Sequence, residues 1–147
     1  MKIRSMIVLI LAFATTTMAG PPSVVFVVGE GEYRSEWSMA ALADLLERDH
    51  GFETTVLFDE KLHGGPGNDI QGLEALESAD LAVFYLRFRQ LPPEQLEMIA
   101  EYVERGGAIV GFRTSTHAFD YPEDHPSAAR WNDFGADVLG APWKYHY

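Results

Sequence analysis

The sequence predicts a three-layer α/β domain: an open, doubly wound parallel sheet with helices on both faces. Three observations predict it: four short apolar runs, amphipathic segments between them, and Gly or Pro at the junctions. Val24 to Val28 (VVFVV) is apolar throughout and mostly β-branched, as suits a strand buried on both faces of a parallel sheet. It is the expected first strand. After GEGEYRSE (29–36) comes a helical pattern, with Ser35 as its N-cap, apolar positions at Met39, Leu42, Leu45 and Leu46, and Gly51 at the C′ position. Thr54 to Phe58 is the second strand. A glycine-rich loop (59–69) leads to a short helix expected near Gln71 to Ser78, and Leu81 to Leu86 is a third buried strand. Pro92-Pro93 open a helix with the stripe Leu96, Ile99, Ala100 and Val103, which Gly106-Gly107 end before the fourth strand, Ala108 to Phe112. Strands alternating with helices at this spacing imply right-handed crossovers.

Two ends of the chain stand outside this pattern. Lys2 and Arg4, an apolar run from Met6 to Ala14, and Thr17-Met18-Ala19 read as a secretion signal spanning residues 1–19, cleaved after Ala19. The apolar run is too short for the ~20 residues that a membrane-crossing helix needs. The mature product, residues 20–147, is expected to be a single periplasmic or extracellular domain, away from the membrane once the signal is removed. Beyond Phe112 the sequence reads as loop, rich in Pro and Gly. A doubly wound domain ordinarily carries a fifth strand and a covering helix, so the domain is expected to be incomplete at the C-terminus.

Composition narrows the chemistry. There is no cysteine, which excludes disulfides, thiol catalysis and thiolate metal sites. The signal holds two of the eleven basic residues and no acid. The mature chain therefore keeps nine basic against twenty-two acidic residues, a net charge of −13. Such a chain is a poor partner for nucleic acid, whose binding depends on clustered Lys and Arg. The Gly29-Glu30-Gly31 turn lacks both GxGxxG spacing and a Walker lysine, so no nucleotide or flavin cofactor is assigned. The histidines and carboxylates of the last thirty-one residues match no metal-ligand spacing such as HExxH, and no metal is assigned either.

In open α/β sheets ligands bind beyond the carboxyl ends of the strands. The segments there hold Glu32, Tyr33 and Arg34 after the first strand, Arg87 and Arg89 after the third, and Arg113, Ser115 and His117 after the fourth. Four of the nine mature basic residues, all arginine, fall on this edge. Their planar forks suit carboxylates or paired hydroxyls, although pairing with Glu30, Glu32 and Glu36 would also account for them. His117 is the candidate general acid/base and Glu32 a second one. Ser115 is read as ligand-binding or structural, because GFRTS is no nucleophile elbow. Tyr33, Phe88, Phe119, Trp143 and Tyr145 add rings of the kind that grip the apolar face of a sugar, or that cap a core.

The segments EYRSE (32–36), HGFETTVLF (50–58), IQGLEALESADLAVFYLRFRQLPPEQLEMI (70–99), GFRTSTHAF (111–119) and WNDFGADVLGAPWKYHY (131–147) together resemble the ThuA-like, or trehalose-utilisation, family. The resemblance covers nearly all of the mature chain. It implies a flavodoxin-like fold related to class I glutamine amidotransferases, a role in sugar metabolism, and His146 as a further site residue. It also implies a longer C-terminal part. The amidotransferase nucleophile is a cysteine, so that activity does not carry over. The expectation is an exported domain that acts on a small carbohydrate, a sugar or oxidised sugar, with Arg87, Arg89 and Arg113 orienting it. The alternative is a non-catalytic carbohydrate-binding domain.

Overall fold

The computed structural model describes residues 20–63 and 68–145, so the signal segment and His146 lie outside the described residues. Four parallel strands, β1 (Ser23–Gly29), β2 (Glu53–Phe58), β3 (Leu81–Leu86) and β4 (Ala108–Gly111), form one sheet in the order β2-β1-β3-β4. This is the open, doubly wound α/β arrangement of flavodoxin-like order, in which the chain reverses direction across the sheet between β1 and β3.

Alternation along β1 builds both layers of core. Val24, Phe26 and Val28 pack against Met39 and Ala43 of helix α1 (Ser35–His50) on one face. Val25 and Val27 face the other side, where Leu96, Ile99 and Ala100 of α2 (Pro93–Glu104) cover the sheet with Leu73 and Leu76. Each Val, Leu, Ile, Phe or Met among them, fully removed from water, contributes roughly 1.5–3 kcal/mol.

Helix α1 ends as expected: Gly51 takes a left-handed φ of 69°, and its N–H donates to the Glu47 carbonyl. Two expectations for this helix are corrected. Ser35 is no N-cap; it lies inside the first turn, and its hydroxyl donates to the Glu30 carbonyl while Arg34 takes the left-handed cap position. Leu45 is 39% exposed and Ala43 is buried in the stripe instead, because the helix sits over β1 and β2 and leaves its far flank open.

The segment before β3 is a 3-10 turn, Leu73–Ser78, rather than a regular helix, and Arg105 donates to the carbonyls of Leu76, Glu77 and Ala79 at its end. Strand β4 is an edge strand, with Val110 42% exposed. Beyond it the chain is more ordered than its sequence suggests. A 3-10 turn (Arg113–His117) and two short helices, α3 (Ala128–Trp131) and α4 (Phe134–Asp137), bury Phe119, Tyr121, Trp131 and Phe134 against the α2 side of the sheet. Buried Tyr121 donates its hydroxyl to the Leu91 carbonyl, and desolvation pushes it up to about 12. No helix among the described residues is long and apolar enough to cross a membrane.

Candidate ligand cleft at the carboxyl edge

Buried polar groups beyond β1, β2 and β4 shape this edge. Glu30, directly after β1, has no exposed surface, and its carboxylate accepts the backbone N–H groups of Glu32 at 2.6 Å and Tyr33 at 2.8 Å. Asp59, directly after β2, is equally buried and accepts the Lys61 N–H at 2.8 Å. After β4, the Thr114 hydroxyl donates to the Leu86 carbonyl and the Ser115 hydroxyl to the Phe84 carbonyl. The carboxylates thus satisfy backbone donors, and the hydroxyls backbone acceptors, at the end of the sheet.

The backbone is also strained here. Arg34, Phe88 and Arg113 have φ of 56°, 50° and 43°, and they make up three of the four non-glycine left-handed residues among the described residues. Such conformations cost on the order of 1–3 kcal/mol each and persist where surroundings over-determine them, often at functional sites. Phe88 is held by its neighbours: its N–H donates to the His117 carbonyl and that of Arg89 to the Ala118 carbonyl, which stitches the end of β3 to the segment after β4.

Three cavities open along this edge. The first, of about 220 Å³, is lined by Glu30, Glu32, Lys61, Arg87, Phe88 and Arg89. Its arginines are already engaged: Arg87 pairs with Glu32, and Arg89 lies 3.3 Å from Asp59. The Nε of Arg87 is buried with no hydrogen-bond partner among the described residues. The second cavity, of about 210 Å³, is lined by Tyr33, Arg113, Thr116, His117, Trp143 and Tyr145. Here the Arg113 guanidinium stacks 3.9 Å over the Tyr33 ring, and hydrogen bonding to Tyr33 raises it above the ordinary arginine value. The third, of about 190 Å³, lies on the other side of His117 and Trp143.

His117 is the hinge of the arrangement. It is 5% exposed, and its ring lies 4.9 Å from both Phe88 and Trp143. The Thr116 hydroxyl oxygen is 3.4 Å from its Nδ1.

Of the residues expected at the site, Glu32, Arg87 and Arg89 share the first cavity, and Tyr33, Arg113 and His117 share the second. The single cleft expected from the sheet edge is thus partitioned, with Phe88 and His117 between its parts. Two of the expected residues stand apart from these cavities. Ser115, read as ligand-binding or structural, is fully buried and its hydroxyl bonds β3 backbone, which fits the structural alternative. Arg34 lines none of these three cavities; its carbonyl accepts the first N–H groups of α1 and its side chain is exposed. Glu30 is expected only as a pairing partner for the arginines, and Phe88 only as one of several rings near the edge. A charged residue directly following an all-apolar strand was the available signal for Glu30, and nothing in the sequence marks the strain at Phe88.

Among the described residues no three His, Asp or Glu side chains gather as a metal site. The fold and the cavities thus define an α/β domain with a partitioned polar and aromatic cleft at the carboxyl ends of its strands. Comparison with protein-family models, with curated proteins and with solved structures finds no match for this chain.

Proposed function

We propose that this is an exported domain of the trehalose-utilisation type that acts on a small sugar or oxidised sugar, with His117 as general acid/base. One observation carries the reading: a buried imidazole, oriented by two flanking rings, lines a cavity that also presents Tyr33, Arg113, Trp143 and Tyr145. Aromatic rings suit the apolar face of a sugar, and the Arg113 fork and the Thr116 hydroxyl suit its oxygens. His117 would exchange a proton with a ligand hydroxyl, a role that typically contributes 10²–10⁴-fold to rate.

A second reading, carbohydrate binding without turnover, draws on Glu32. Its carboxylate is tied to Arg87 in the neighbouring cavity, so it does not complete an acid/base pair with His117. The two readings separate by experiment. Sugars are titrated by calorimetry, the same mixtures are assayed for product, and the measurements are repeated with His117→Ala and Arg113→Ala. The enzyme reading expects turnover to fall at least about a hundredfold in His117→Ala with binding largely kept. Binding by the unaltered protein with no product supports the second reading, and undiminished turnover in both variants contradicts the first.

A further inference from the structure

The third cavity lies behind His117 and differs chemically from the other two. Phe88 and Trp143 meet there nearly at right angles, 84° with centroids 6.2 Å apart, and form an aromatic corner around the imidazole. Asp120, Asn132 and Asp133 line the same cavity. No Lys or Arg is among its lining residues, and neither Asp120 nor Asp133 takes part in an ion pair among the described residues.

From these walls we infer that, of the two cavities bordering His117, this one seats the sugar ring while the Tyr33–Arg113 cavity receives its outer hydroxyls, and that it takes a neutral or amine-bearing sugar and rejects a sugar acid. The inference rests on the reading of the carboxyl edge as a carbohydrate site and narrows its ligand. The aromatic corner offers an apolar face, while the Asp120 and Asp133 carboxylates offer acceptors for hydroxyl or ammonium groups; the Asn132 amide is taken up by the Tyr121 backbone, whose N–H it accepts at 2.8 Å and to whose carbonyl it donates at 2.9 Å. A carboxylate ligand would meet two carboxylates on the cavity wall, neither ion-paired among the described residues, and the strongly negative field of the whole chain. The neighbouring cavities offer an acid little compensation, because Arg87 and Arg89 already face Glu32 and Asp59, and Arg113 is stacked on the Tyr33 ring in a cavity that this one does not include. The cavity also borders His117 and Trp143, so a ring seated here presents its hydroxyls to the proposed acid/base.

The test is calorimetric titration of the full chain with glucosamine, glucose and glucuronate at slightly acidic pH. It is repeated with Asp120→Asn/Asp133→Asn, two exposed positions whose replacement keeps shape and hydrogen-bonding oxygen, and with Trp143→Ala. The expected order is glucosamine, then glucose, with glucuronate weaker than glucosamine by on the order of tenfold or more. The double Asn variant is expected to lose most of that ratio, and Trp143→Ala to weaken all binding. Glucuronate binding as tightly as glucosamine, or a ratio unchanged in the double variant, overturns the inference and leaves the carbohydrate reading standing. Failure of all three sugars to bind the unaltered protein overturns both.

Discussion

The two ends of the sheet use their polar groups in opposite ways. At the amino end, Ser23 and Asp80 stitch β1 to the start of β3: the Asp80 carboxylate accepts the Ser23 N–H at 2.8 Å and its hydroxyl at 3.0 Å. These groups sit near solvent, where such bonds hold one strand against another and shape no cavity. At the carboxyl end the comparable groups, Glu30 and Asp59, are fully buried. They hold loops whose residues take strained backbone and line cavities. The difference teaches that burial, more than the count of hydrogen bonds, separates a structural clamp from the scaffold of a site.

The largest effect that bears on this contrast is expected at Glu30. Glu30→Ala removes the acceptor of two loop N–H groups in a buried setting, and a loss of about 2–3 kcal/mol is expected in urea unfolding. The same truncation of exposed Asp80 should cost clearly less. Equal costs at the two positions would erase the distinction between the ends.

A smaller effect is expected from acid. Hydrogen bonds from the Ser23 N–H and then its hydroxyl hold the Asp80 carboxyl below the ordinary value of 3.8. Its contribution to stability is therefore present above that value and lost as pH falls through the lowered folded value. Thermal melting of Asp80→Asn, compared with the unaltered chain below about pH 4, should show a flatter acid limb. Parallel limbs would mean that the amino-end clamp carries no charge-dependent stability.

What could be read in the sequence follows from the range of the forces involved. The strand core of VVFVV, the Gly51 terminus and the Leu96-Ile99-Ala100 stripe were legible because local periodicity and backbone sterics decide them. Leu45 was misplaced because the edge of a helical stripe depends on which strands lie beneath it. Ser35 was misread because its hydroxyl answers to the Glu30 carbonyl, a partner that only the folded loop supplies. The tail after β4 hid its helices because four-residue turns carry no measurable period. At the site, the rule of the carboxyl edge brought Tyr33, Arg113 and His117 to one cavity. That rule cannot tell a side chain that faces the cleft from one that turns inward. Ser115 and His117 are two residues apart, yet one bonds β3 and the other lines two cavities. Phe119 likewise belongs to the aromatic core with Phe134 and Trp131, in ring contacts at 5.3 and 5.1 Å, as much as to the cleft.

The most direct test of the central claim is an amide chemical-shift titration of the full chain with glucosamine. The expected result is a set of shifts confined to the carboxyl edge, at residues 30–34, 87–89, 113–120, 132–136 and 141–145, and absent in Trp143→Ala. Shifts centred on the Ser23–Asp80 end of the sheet, or spread evenly over both ends, would contradict the account.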